Sequence, residues 1–303
     1  MFDLILGRFS LYRCGMNREN SSKFGWTILH YVFLFCAFFV MGSGAWAQKT
    51  ESSFVGNWLH RVSSTQAAQP HWVTPIVLVT PRLEQEFRAD FVRQLVAGDQ
   101  QVWVYDNGKG LELIPARHIE LLFNLPPYQT HSAPNTQDGL GDVSFLMKYR
   151  ILSANEQHGN YIFTAYFGGT IPTGTYKNGA ASAQVLPSIG GGKGWGGFDL
   201  ESTLGGTLPV DSTQAVGRTI VWNSVGQYHT HKFFWPEVES NATFFYGGPN
   251  DGKRQNFVLP GLMFGRFPIH DRVGATVGFG MQIATSHQHL YNHALILTGR
   301  IPF

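Results

Sequence analysis

The chain has 303 residues, of which 14% are charged, against roughly 25% in an ordinary soluble protein, while 35 glycines and 24 phenylalanines push the composition the other way. Mean hydropathy is -0.09, too low for a bundle of membrane helices and what strands give when alternate residues face lipid and water. The formal charge of +2 comes from the first 47 residues, where Arg8, Arg13, Arg18 and Lys23 outnumber Asp3 and Glu19; the remainder balances at 18 basic and 18 acidic residues. Neither a nucleic-acid patch nor a polybasic anchor is implied.

In chain order, Lys23 precedes an apolar run from Trp26 to Met41 that closes on Ala45-Trp46-Ala47. That is the A-x-A pattern of a signal peptide, so residues 1–47 read as a leader cleaved after Ala47, with Gln48 first in the exported chain. A transmembrane anchor is the competing reading, although the run falls slightly short of the roughly 20 residues a span needs. The bulky Phe33-Leu34-Phe35 argues against lipidation at Cys36, and Met16 is a second candidate start. Both cysteines, Cys14 and Cys36, lie in the leader, which leaves the rest without a disulfide or a Cys-ligated metal site. Beyond Ala47 no stretch suits a spanning helix, so a bilayer could be crossed only by strands.

Residues 48–81 read as an irregular segment, with a short helix near Phe54 to Leu59 and a proline-punctuated run from Pro70 to Pro81, lying in the periplasm or plugging the barrel. Residues 82–303 read as the barrel domain. From Arg82 the period becomes two: Leu83, Phe87, Ala89 and Phe91 alternate with Glu84, Glu86, Arg88 and Asp90. Similar segments recur at 100–106, 111–124, 139–152, 160–172, 184–192, 197–209, 218–229, 233–247, 255–267, 272–284 and 290–303. With the first this makes about twelve, an even number suited to an all-β, antiparallel up-and-down outer-membrane barrel.

The connections support that reading because they alternate in length. Asn107-Gly108-Lys109-Gly110, Lys193 to Gly196, Thr230 to Lys232, Pro268 to Asp271 and the slightly longer Ser153 to Gly159 are tight; Leu125 to Asp138, Thr173 to Ala183, Val210 to Gly217 and Gly248 to Arg254 are mostly longer and polar. Short periplasmic turns and long external loops alternate in this way. The last strand places Tyr291, His293, Leu295, Leu297, Gly299, Ile301 and Phe303 on one face, and a terminal aromatic such as Phe303 resembles the signal read by barrel-assembly machinery.

With the apolar set facing lipid, the lumen-facing candidates are Glu84, Glu86, Arg88, Asp90, Glu112, Glu120, Lys148, Arg150, Asp199, Glu201, Glu237, Glu239, Arg266, Arg272 and Arg300. They either pair across the wall as ion pairs or set a transverse field that selects polar solutes. Twelve strands enclose more space than side chains alone fill. Arg117 falls on the lipid face when counted from Leu111, and Pro115 is the place for a bulge that shifts the register. Trp103, Tyr105, Tyr128, Tyr149, Tyr161, Tyr166, Trp222, Tyr228, Trp235, Tyr246 and Tyr291 fall mostly near segment ends, as interfacial girdles would.

Chemistry is sparse. His229-Thr230-His231 and His287-Gln288-His289 with His293 have a spacing that can ligate zinc, but no carboxylate accompanies the second cluster and solvated or interfacial histidines are the preferred reading. Ser286 near His289 is the only local hint of a lipid hydrolase. Gly190-Gly191-Gly192 and Gly194 lack the helix that a phosphate loop requires. No metal, cofactor or catalytic residue is assigned.

The stretch Asp138-Gly139-Leu140-Gly141-Asp142-Val143-Ser144, running into Lys148-Tyr149-Arg150, then Thr170-Ile171-Pro172-Thr173-Gly174, resembles the MetA-pathway of phenol degradation family. Thr207-Leu208-Pro209-Val210 looks like a second copy of the strand-ending element, and the resemblance runs from about Val73 to Phe303. It implies an outer-membrane barrel and a non-enzymatic channel or transporter for small molecules, aromatic or hydrophobic compounds among them. The implied partners are outer-membrane lipid, barrel-assembly machinery and a small-molecule solute. An outer-membrane enzyme acting on lipids and a closed structural barrel are the alternatives.

Overall fold

The computed structural model describes residues 53–107 and 109–303; the leader, its cleavage site and both cysteines lie outside them. An N-terminal helix, α1 (Phe54–Ala67), precedes a non-regular segment and then the wall. The wall begins with β1 (Glu86–Val96) and β2, which runs as Gln100–Tyr105 and resumes as Gly110–Ala116. β3 is likewise Ile119–Asn124 resuming as Tyr128–His131, and β4 is Gly139–Leu140 resuming as Val143–Ala154. There follow β5 (Tyr161–Ile171), β6 (Gln184–Trp195), β7 (Phe198–Pro209), β8 (Arg218–Tyr228), β9 (Phe234–Tyr246), β10 (Arg254–His270), β11 (Val273–Ala284) and β12 (His293–Pro302).

Each strand pairs antiparallel with its sequence neighbours. β12 also pairs with β1, from Glu86 opposite Pro302 to Leu95 opposite His293, so the sheet closes into a twelve-stranded up-and-down barrel. Closure leaves no free edge, and every wall strand can satisfy its backbone against two neighbours.

The two-residue period sorts the side chains. On β12, Leu295 and Leu297 are exposed while Ala294, Ile296, Thr298 and Arg300 are buried. β11 does the same, with Val277, Phe279 and Met281 outside and Thr276 and Gln282 inside. Apolar residues therefore cover the outer surface while polar ones crowd the inside, the reverse of a soluble domain.

Two strand boundaries differ from the sequence reading. The chain does not reverse at Asn107-Gly108-Lys109-Gly110. That stretch interrupts β2, whose two parts both pair with β1. Asp106 and Asn107 have positive φ there, which Asp and Asn tolerate better than most residues, so the turn chemistry is real but serves a local loop within a strand. The reversal occurs at Arg117-His118, with Ala116 opposite Ile119 and a register shift beside Pro115. Arg117 thus sits in an exposed hairpin turn and not on an apolar face.

Tight turns at 117–118, 155–160, 196–197, 229–233 and 271–272 gather at one end of the barrel, which is also where β1 starts and β12 ends. The longer connections, including 172–183 and a short helix α2 (Thr213–Val216), gather at the other. At the long-loop end Asp142 accepts from the N–H groups of Gly174 (2.8 Å) and Ala180 (2.6 Å), tying down the loop between β5 and β6. Gly174 and Gly179 pack so closely there that an added Cβ would lie within 3.0 Å of an Asp142 oxygen.

Candidate functional site

The interior of the barrel is occupied by residues 69–85, which enter from the short-turn end, bend near Ile76 to Thr80 and return to β1. The base of this inserted segment is tied by a reciprocal pair: Gln69 Nε2 donates to the Leu83 carbonyl at 2.8 Å, and Leu83 N–H donates to Gln69 Oε1 at 3.0 Å. Nearby, Trp58 Nε1 donates to the Ile114 carbonyl at 2.8 Å, Arg61 to the Pro115 carbonyl and Arg272 to Ser63 Oγ, so α1 is attached along the short-turn rim.

A loop with no regular structure leaves its amides and carbonyls unmatched, and burying them unpaired would be costly. Polar and charged wall side chains supply the partners. Glu237 accepts from Ile76 N–H at 3.0 Å. Glu239 accepts from Val77 N–H at 2.6 Å and Leu78 N–H at 2.7 Å. From the other side Arg300 donates to the carbonyls of Thr74 and Pro75, and Arg88 to that of Ile76. Lys148 reaches the Arg82 carbonyl at 3.2 Å, Thr164 the Pro81 carbonyl at 2.6 Å, and Arg150 the Thr65 carbonyl at 2.8 Å. Carboxylates take amides of the segment, while cations and the Thr164 hydroxyl take its carbonyls.

Some of the remaining charges are matched locally and others are not. Arg88 holds Asp90 at 2.8 Å, Lys148 holds Glu120 at 2.8 Å with Glu112 at 3.9 Å, and within the segment Arg82 holds Glu84 at 2.8 Å. Glu120 also accepts from Glu84 N–H. Glu86 is buried directly across from Glu112. Asp199 and Glu201 are buried on β7, and both Asp199 oxygens have no hydrogen-bond partner among the described residues.

Of the remaining sequence candidates, Glu84 belongs to the inserted segment and not to the wall. Arg266 is partly exposed, donates to the Trp72 carbonyl at 3.3 Å and lies 3.6 Å from Glu84. Arg272 follows the β10–β11 turn, is exposed and reaches only the rim helix. Phe303 N–H donates to the Gln85 carbonyl at 3.1 Å.

Steric fit completes the docking. The Trp72 indole lies over Gly192 and Gly194, where an added Cβ would come within 2.6 Å and 2.8 Å of the ring. Ile76 fills the space above Gly261 and Gly280, where a Cβ would meet its Cδ1 at 2.6 Å and 3.1 Å. Gly192 belongs to the glycine run that lacks a phosphate-loop context, and its use is to leave room for an indole. Trp72, Val73 and Ile76 then join Val92, Val104, Leu259, Met263 and Ile296 in one buried apolar cluster inside the barrel.

Three aromatics assigned to the girdles also point inward. Tyr166 is buried beside Gly190. Trp235 is buried and stacks on His229 with ring centroids 4.0 Å apart. Tyr291 stacks on Phe257 at 4.4 Å and donates to Gln282 Oε1 at 2.7 Å. Tyr166 and Trp235 have inward strand parity, while Tyr291 precedes β12 and is freed from its alternation.

Ser286 donates to the Gln288 carbonyl at 2.7 Å, and the nearby His289 ring faces the Ser286 carbonyl and Asn292, so hydroxyl and imidazole are not paired as a nucleophile and base. Among the described residues no group of three or more His, Cys, Asp or Glu side chains is arranged to hold a metal ion.

The model of the family described as MetA-pathway of phenol degradation matches residues 78–296. Among solved structures, an outer membrane channel from Pseudomonas putida F1 has a similar fold, with a TM-score of 0.54 and 14% sequence identity over 77% of this chain and 100% of that one. No curated protein matches the sequence.

Proposed function

The chain belongs to the MetA-pathway of phenol degradation family, and from that premise we propose that it is a non-enzymatic outer-membrane channel for small molecules, aromatic and hydrophobic compounds among them. In this reading the exposed apolar belt meets outer-membrane lipid, the tight turns face the periplasm and the long loops face outward. A cleaved leader delivers the chain to barrel-assembly machinery, for which Phe303 is the proposed recognition residue.

One observation carries the reading. The interior is lined by many buried polar and charged side chains, and what fills it is a single segment held by wall side chains on its backbone groups and by the packing of Trp72, Val73 and Ile76 in one apolar cluster. A segment held in this way can leave without unravelling the wall, because β1 to β12 keep their own closed hydrogen-bond network. The occluded state described here is then one member of a closed–open pair.

Planar-bilayer recording tests this. The full chain should show small, infrequent conductance steps, and a variant lacking residues 53–81 should show larger and longer ones. Absence of conductance from a correctly assembled deletion variant would favour a closed structural barrel.

A further inference from the structure

We propose that the outer surface of the barrel at the long-loop rim, where β8 and β10 begin, binds a lipid headgroup carrying two phosphates, with Arg218 and Arg254 as the residues that meet them. This rests on the outward placement of the long loops and names a lipid partner for that rim. Strand parity fixes the direction of both side chains. Arg218 shares the exposed face of β8 with Ile220 and Trp222, and Arg254 is exposed on β10, where Gln255 and Phe257 are buried inside the barrel. Both arginines therefore stand on the lipid side, at the edge of the apolar belt nearest the long loops.

The strand register sets their spacing. Arg218 lies opposite Tyr246 and Arg254 opposite Phe244, so two strand spacings and a two-residue offset separate them, roughly 12 Å between Cα atoms. Each guanidinium can then take one phosphate of a single headgroup through its planar fork. The loops above hold this arrangement in place. Gly217, just before Arg218, packs so closely on the turn after Tyr246 that an added Cβ would come within 2.6 Å of the Gly247 carbonyl oxygen.

Both cations are uncommitted. Among the described residues neither guanidinium has a salt-bridge partner or a side-chain hydrogen bond. Lys253 adds a positive charge beside Arg254, with its ammonium 3.0 Å from Asn250 Oδ1. Asp251 is the acid of the same turn, and one of its oxygens accepts the Gly247 N–H at 2.6 Å. Arg93, on the lipid side of β1, is different: it donates to Gln101 at 3.1 Å and lies over the Trp103 ring. A cation at the margin of an apolar belt reaches into the headgroup layer. Below the two arginines, the exposed Ile220 and Trp222 offer apolar surface to acyl chains, so a phosphorylated lipid matches both parts of this surface and a free phosphate matches one.

The test is lipid binding to the full chain in detergent, read by native mass spectrometry, with bisphosphorylated lipid A, its fully dephosphorylated form and inorganic phosphate as probes. The bisphosphorylated lipid should bind about tenfold more tightly than the dephosphorylated one, and millimolar inorganic phosphate should not displace it. Arg218→Gln combined with Arg254→Gln should abolish the preference. Lys193→Gln should keep it, since that lysine lies near the short turns and donates to the Gly159 carbonyl. An equal preference in the double variant and the wild type overturns the proposal. So does equal binding of the two lipids by the wild type, a comparison that needs no variant. Displacement by inorganic phosphate would make this a free-anion site and overturn the lipid assignment. An epitope tag inserted at Asn250 separates the two claims: a tag that antibodies cannot reach on intact cells defeats the outward placement, whereas a reachable tag without the lipid preference defeats the headgroup site alone.

Discussion

Glu239 and Leu78 are separated by 161 positions in sequence, yet the Glu239 carboxylate accepts the Leu78 amide at 2.7 Å while its other oxygen accepts the preceding amide. Losing such a bond leaves a buried amide unsatisfied, at a cost of about 1–3 kcal/mol. Glu239→Gln is expected to loosen the apex of the inserted segment by about 2 kcal/mol. Hydrogen exchange at residues 76–78 should then quicken roughly thirtyfold while exchange in β9 and β10 stays slow. Unchanged protection at 76–78 would show that these bonds do not hold the segment.

Gly192 has a steric role that a larger residue cannot fill. Gly192→Val should push the Trp72 indole out of its seat without opening the ring, because the Cβ points inward from β6. A red shift in tryptophan emission, together with retained heat-modifiable gel mobility, is the expected pair of observations. Gly206→Ala is the control: a Cβ there meets nothing closer than 3.5 Å, and the emission should not move.

At the short-turn end, Glu156 accepts from the His71 ring at 2.8 Å and from His71 N–H at 2.6 Å. Partial burial pushes the Glu156 carboxyl up, but the His71 hydrogen bonds outweigh it and hold the group below its usual value. A depressed carboxylate contributes stability that is present above its unfolded value, about 4.3, and is lost as pH falls through the folded value. Limited proteolysis near His71 should therefore increase as pH drops from 6 to 3. Glu156→Gln should be more sensitive at pH 6 and respond less to acid; an unaltered acid response would place the sensitive group elsewhere.

Arg150 joins three pieces of chain, donating to the Thr65 and Arg117 carbonyls at 2.8 and 2.9 Å and to Gln69 Oε1 at 3.1 Å. Arg150→Ala should lower stability by about 2–4 kcal/mol, since buried carbonyls lose a charged donor. Arg117→Ala should stay within about 0.5 kcal/mol, as expected for an exposed turn side chain. Denaturant titration of both variants checks the contrast, and equal losses would contradict it.

Asp142 is the acidic residue of the G-x-G-D element, and its two oxygens hold the amides of Gly174 and Ala180. Asp142→Ala should release the loop at 172–183, seen as new cleavage by an added protease, with the strand core intact. Cleavage no faster than in the wild type would mean that Thr175, which bonds Leu140 from both backbone and side chain, suffices alone.

Strand alternation made the wall legible in the sequence, because a two-residue period is imposed by the backbone wherever one face is apolar. Two boundary errors at β2 and β3 compensated, which is why the strand number came out right: Asn107-Gly108 carries strong turn chemistry, and Arg117-His118 carries almost none. Arg117 on a greasy face was the residue that exposed the conflict. The seating of residues 69–85 was not legible, because its anchors are backbone groups that no pattern marks. Trp72 and Ile76 meet glycines more than a hundred positions away, and only strand pairing brings those glycines to the same depth.

Closing the ring sets Arg88 of the first strand directly across from Arg300 of the last, and like charges facing one another across a ladder repel. The carbonyls of Thr74, Pro75 and Ile76 lie against that pair. Seam and stopper are therefore energetically linked: the lid of the barrel is also the clamp on its join, so an unjoined barrel offers it only half a seat. Withdrawing it weakens the one junction that must form between the two ends of the wall.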